Sequence, residues 1–142
     1  MRGFTFFEIL VVTGLFSVLI ALGLFMSMET FRGSIYRSEQ ATVVSVLQKA
    51  RSRAMANIDQ SPWGVYYDPI ANAYFIFRGG SYTPGATNEK IPGNAAVTVT
   101  GLFLPGVVFS QLSGTTTATT TAVVQDGRTS TISINYEGAI NW

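Results

Sequence analysis

The chain has 142 residues, a net charge of +1, 47% hydrophobic residues, and neither cysteine nor histidine. These figures leave room for one compact domain beside a helical segment and give no bulk electrostatic case for nucleic acid. They also exclude disulfides, thiolate nucleophiles, zinc-thiolate sites and imidazole chemistry.

Residues 4–28 form an apolar block in which Glu8 is the only ionisable side chain. As an α-helix the block is roughly 37 Å long, enough to cross the hydrocarbon core of a bilayer. No proline interrupts it, and Gly14 and Gly23 are tolerated in membrane helices. A secretory signal peptide fits poorly, because its apolar region is shorter and ends in small residues before a cleavage site. Charge flanks do not set an orientation: Arg2 precedes the block, and Arg32 and Arg37 follow it. Glu8 is the odd feature, since a carboxylate is costly among apolar side chains. It lies near the interface and reaches water, is simply protonated, or awaits a positive partner that the lone chain lacks.

From Tyr36 onward the pattern becomes one-sided. Tyr36, Val43, Val46, Leu47, Ala50, Ala54 and Ile58 recur at helical spacing on one stripe, with Ser45, Gln48 and Ser52 opposite. Proline is absent until Pro62, so the reading is one helix from about Thr5 to Asn57, ending near the Asp-Gln-Ser-Pro breaker. Lys49, Arg51 and Arg53 flank the stripe on both sides and read as a solvated helix flank.

β character follows. Residues 63–67 and 73–77 read as a hairpin around Asp68 and Asn72, and residues 78–94 as a loop punctuated by glycine and proline. Residues 95–100 and 107–112 read as further strands. Residues 121–125 and 129–136 form a last hairpin whose Asp126-Gly127 pair supplies a tight turn. Ile132, Ile134 and Tyr136 share one face of its second strand. The threonine-rich residues 115–121 read as a mobile loop or exposed strand edge. The sheet is small and should complete its core on the helical stripe.

No constellation for catalysis or metal binding stands out. Asp68, Asn72, Asp126 and Glu137 are too scattered for Ca²⁺, which wants six to eight oxygens, and the aspartates suit turns for backbone reasons. Serine-rich turns lack a basic partner at recognisable spacing.

The start of the chain, Arg2-Gly3-Phe4-Thr5-Phe6-Phe7-Glu8, then about twenty apolar residues, resembles the prepilin signature of type IV pilins and type II secretion pseudopilins. The resemblance implies a pilin-like α+β fold: a leader at residues 1–3, a membrane or filament-core half-helix at 4–28, an amphipathic half-helix at 29–60, and a small antiparallel β domain at 61–142. It implies cleavage by a prepilin peptidase between Gly3 and Phe4, N-methylation of Phe4, and assembly through Glu8, which would pair with the Phe4 amine of a sister subunit. It further implies a single-pass protein of the cytoplasmic membrane, its β domain outside the cytoplasm. The implied partners are lipid, sister pilins, the peptidase and an inner-membrane assembly platform, with no enzymatic activity and no cofactor. The order of elements looks similar to H-type minor pseudopilins of type II secretion and the related competence minor pilins, although the chain lacks the late-helix proline and disulfide of many major pilins. The alternatives are a DNA-binding minor pilin serving DNA uptake, for which residues 61–142 offer only Arg78, Lys90 and Arg128, and a membrane-anchored β-domain binding module.

Overall fold

The computed structural model describes residues 5–85, 87–102, 106–125 and 127–142, and all of their side chains except those of residues 26–30. Helix α1 runs Phe6–Met55, 50 residues without a break. The chain divides into two compact units, Met1–Ile35 and Tyr36–Trp142, and α1 contributes to both.

In the first unit the helix starts at Thr5, whose carbonyl accepts the amides of Glu8 and Ile9. The Thr5 hydroxyl also accepts the Glu8 amide at 3.3 Å. The hydroxyls of Thr13 and Ser17 bond back to carbonyls one turn earlier, Ile9 and Thr13 respectively. The hydroxyls of Thr5, Thr13 and Ser17 thereby find partners within the helix itself.

In the second unit the apolar stripe of α1 is the floor of the core. Val43, Leu47, Ala50 and Ala54 are fully buried, and Val44 and Val46 nearly so. Above it lie two antiparallel four-stranded sheets. The first has the order β3-β2-β1-β5, with β1 Trp63–Asp68, β2 Ala73–Arg78, β3 Glu89–Pro92 and β5 Val107–Phe109. The second has the order β4-β6-β7-β8, with β4 Thr98–Thr100, β6 Thr119–Gln125, β7 Arg128–Ile134 and β8 Ile140–Asn141.

The register of β1 on β2 pairs Val65 with Ile76 and Tyr67 with Tyr74 on the core side. The other face pairs Gly64 with Phe77 and Tyr66 with Phe75, and Tyr82 stacks on Tyr66 with centroids 4.2 Å apart. Gly64 is required there, because a Cβ would strike the Phe77 ring. Val99, Val123, Ile132 and Ile134 close the core from the second sheet.

Several expectations need correction. A four-residue strand, β3, lies inside the stretch 78–94 that reads as loop. Thr119, Thr120 and Thr121 belong to β6, where they pair with β7 alone, and Thr116 and Thr121 are buried, so the threonine run is not a mobile loop throughout. Asn57 adopts a left-handed conformation (φ 56°) and ends the helix, so Ile58 leaves the stripe and is 44% exposed. Tyr136 lies beyond β7 and is exposed, unlike Ile132 and Ile134. Lys49, Arg51 and Arg53 are not merely solvated, as shown below. Asp126, the first half of the tight-turn pair, falls outside the described residues, while Gly127 takes the positive φ of 78°.

Candidate functional site

The candidate site in the first unit is the apolar segment Phe6–Phe25, 20 residues, long and apolar enough to cross a membrane. None of its side chains is buried within the chain, so its apolar surface is left for lipid or for other helices. Gly14 and Gly23 face open space, with nothing within 4 Å of where a Cβ would stand. Glu8 lies in the first turn of α1, where the helix dipole favours a negative charge. One of its carboxylate oxygens accepts the Thr5 hydroxyl at 3.5 Å. Thr5-x-x-Glu8 has the residue types and spacing of a capping box. The carboxylate that the apolar pattern marks as anomalous is therefore exposed and locally engaged. Gly3 and Phe4, the residues expected to flank a cleavage, lie outside the described residues.

The second unit holds a feature that periodicity did not mark. Glu39 on α1 is only 5% exposed. Its carboxylate accepts the Tyr74 hydroxyl and, at 3.2 Å, the Asn94 amide. Asn72 extends the network: it accepts the Tyr67 hydroxyl at 2.8 Å and donates to the Gly93 carbonyl at 3.2 Å. Burial, then the bond to Glu39, raises the Tyr74 pKa far above the usual phenol value. The network ties α1 to the β1–β2 turn and to the loop after β3. It holds polar donors and acceptors in mutual satisfaction, and no ion pair reaches Glu39 among the described residues.

Lys49, Arg51 and Arg53 on α1 are engaged as well. Lys49 and Arg53 both bond the Glu89 carboxylate on β3. The Lys49 hydrogen bond is the largest influence on Glu89 and lowers its pKa, opposed by burial and reinforced by Arg53. Arg53 also lies 5.0 Å from the Trp63 ring centre, a cation–π distance. Arg51 donates to the Glu137 carbonyl at 3.2 Å. On the β domain, Arg78 lies 4.0 Å from Asp59. Asp68 accepts the amides of Ile70 and Ala71 at 2.8 and 3.1 Å, closing the β1–β2 turn. Among the described residues no three His, Cys, Asp or Glu side chains gather as metal ligands.

These features define an α+β protein in which one long helix carries an exposed apolar segment and then packs on antiparallel sheets. No family model matches the chain, and no curated protein matches it in sequence. Among solved structures it is similar to the minor pseudopilin EpsH from the type 2 secretion system of Vibrio cholerae. That similarity covers 80% of this chain and 93% of the other, with a TM-score of 0.48 and 12% sequence identity.

Proposed function

We propose that the chain is a pilin-like structural subunit, a minor pseudopilin of a type II secretion or type IV pilus/competence machine, assembling through its N-terminal helix. The observation that carries this reading is the segment Phe6–Phe25. It is continuous helix, apolar, exposed all round, and preceded by Gly3-Phe4-Thr5 with Glu8 in its first turn. A surface of that size in a lone chain needs lipid or sister helices to cover it. In this reading the subunit waits in the cytoplasmic membrane with its β domain outside the cytoplasm. A prepilin peptidase cleaves between Gly3 and Phe4 and the Phe4 amine is methylated. A platform in the membrane then moves the subunit into a filament, where Glu8 pairs with the Phe4 amine of its neighbour. The work is mechanical and needs no cofactor.

Intact-mass measurement of the membrane-extracted protein from a host with the peptidase tests the processing step. The expected mass is that of a chain beginning at Phe4 with one added methyl group. A mature chain beginning beyond Ser27, or one that retains Met1, contradicts it.

A further inference from the structure

The connection from β5 to β6 carries the chain from the first sheet to the second, and it passes the end of α1 on the way. Leu112 in this connection donates its amide to the Ala54 carbonyl at 2.9 Å. Two residues on, buried Gly114 lies against Met55, the last residue of α1. A Cβ at Gly114 would stand 2.8 Å from Cγ and 3.0 Å from Sδ of Met55. The Gly114 carbonyl in turn meets buried Gly138 in the β7–β8 turn so closely that a Cβ on Gly138 would strike it. Gly138 also lies against Nε of Arg51, whose guanidinium donates to the Glu137 carbonyl at 3.2 Å. Helix end, sheet crossover and turn therefore meet in one junction, and the Met55 thioether is the peg against which Gly114 rests. Leu112 has a φ of 65°, left-handed backbone that a bulky residue keeps where its surroundings over-determine it. Met55 is 47% exposed. Cysteine is absent and the other methionines are Met1, Met26 and Met28, so Met55 holds the one sulfur of the unit Tyr36–Trp142.

We propose that Met55 is a reversible oxidation site, and that its conversion to the sulfoxide releases the β5–β6 connection from the end of α1. The proposal goes beyond the assembly reading and does not depend on it. The co-reactant is a peroxide. A lone pair of Sδ attacks one peroxide oxygen, the S–O bond forms and the O–O bond breaks. The departing oxygen leaves as water, so sulfur gives up two electrons and the peroxide takes them. The half-exposed thioether is open to so small an oxidant, while the apolar side of the same group faces Gly114. A thioether is a soft, adaptable filler that suits contact with a bare glycine. The sulfoxide is polar and chiral, and it disrupts contacts that a flexible apolar side chain made. Its oxygen finds no room on the Gly114 side, and turning it to water draws the side chain away. In either case Gly114 loses its support, and with it Leu112 loses what holds its strained backbone. The core face of α1 at Val43 and Leu47 is untouched. The connection opens while both sheets stay folded, and a sulfoxide reductase drawing electrons from a dithiol closes it again.

The test exposes the full-length chain in detergent micelles to dilute hydrogen peroxide and compares wild type with Met55→Leu and Met55→Gln. Site-resolved mass spectrometry should show one oxygen added at Met55 in the folded chain. Amide hydrogen exchange at Leu112 and Gly114 should then rise severalfold, while exchange in β1 and β2 stays as it was. Methionine sulfoxide reductase with dithiothreitol should restore the slow exchange. Met55→Leu keeps an apolar side chain against Gly114 and should show no change at these amides on peroxide treatment. That control also removes any effect of Met26 and Met28, which both chains share. Met55→Gln, similar in length but polar, should exchange fast at Leu112 and Gly114 without peroxide. A Met55 that stays unoxidised in the folded chain, at peroxide that oxidises it in urea, overturns the site. Sulfoxide formed at Met55 with exchange unchanged at Leu112 and Gly114 overturns the peg. A peroxide response at those amides in Met55→Leu overturns it as well.

Discussion

The hydroxyl of Tyr74 on β2 donates to the carboxylate of Glu39 on α1, and both side chains are buried. This contact joins helix to sheet at the end of the domain where the chain enters. Tyr74→Phe leaves a buried carboxylate short of a donor and should destabilise the domain by about 1–3 kcal/mol. Glu39→Gln in combination should shrink that cost, because the two residues act as one pair. Chemical denaturation of the single and double variants measures the coupling; additive losses would show that the contact carries no weight.

The same pair sets an alkaline limit. The Tyr74 pKa lies above its ordinary value of 10.0, first through burial and then through Glu39. Below that ordinary value the hydroxyl is protonated in folded and unfolded chains alike, and the stabilisation is complete. Above it the unfolded chain ionises first, so stability falls as pH rises towards the folded value. Tyr66 and Tyr67 are shifted in the same direction. Unfolding midpoints followed upward from pH 10.0 should therefore decline, and more gently in Tyr74→Phe.

Glu89 works in the opposite direction. Its pKa lies below the ordinary 4.5, because Lys49 and Arg53 bond the charged form. Its contribution is present above that value and is lost as pH falls through the lowered one. Glu89→Gln should cost no more than about 1 kcal/mol at neutral pH, since the pair is partly exposed. It should also flatten the acid side of the stability profile, and added salt should narrow the difference between variant and wild type.

A chain beginning at Arg32 should be soluble, folded and monomeric, because it keeps the compact unit Tyr36–Trp142 and discards the exposed segment Phe6–Phe25. Within it Leu47→Ala should cost about 2–5 kcal/mol, as Leu47 is fully buried on the stripe. An unchanged melting temperature would mean that the stripe does not meet the sheets.

The long helix and its core face were legible because proline is absent and the apolar residues recur at a helical period. The β1–β2 hairpin was legible from its aromatic strands. The missed parts share a physical reason, namely that long-range partners outweighed local pattern. Lys90, Ile91 and Pro92 make too short a run to show alternation, and they form a strand because β2 offers an edge beside them. Thr119, Thr120 and Thr121 join β6 because β7 pairs with them, while β4 pairs with Ala122, Val123 and Val124 further along the strand. Ile58 fits the helical period, yet Asn57 turns left-handed before it. Glu39 sits in a polar run, Ser38-Glu39-Gln40. Only Tyr74 and Asn94, distant in sequence, make it a buried carboxylate. At the candidate assembly site the reverse holds. Glu8 stood out at once as the lone charge in an apolar block, while its bond to Thr5 needed coordinates.

Assembly through the N-terminal helix is the central claim, and Glu8 tests it most directly. Glu8→Ala and wild type should be compared at equal membrane abundance, with the subunit followed in sheared filaments and in crosslinks to sister subunits. Membrane insertion should persist, because a neutral residue is cheaper in lipid than a carboxylate. Incorporation into filaments should fall sharply, because the neighbour's amine loses its counter-charge in an apolar surround. Undiminished incorporation of Glu8→Ala would contradict the account and leave Glu8 as the cap of its own helix and nothing more.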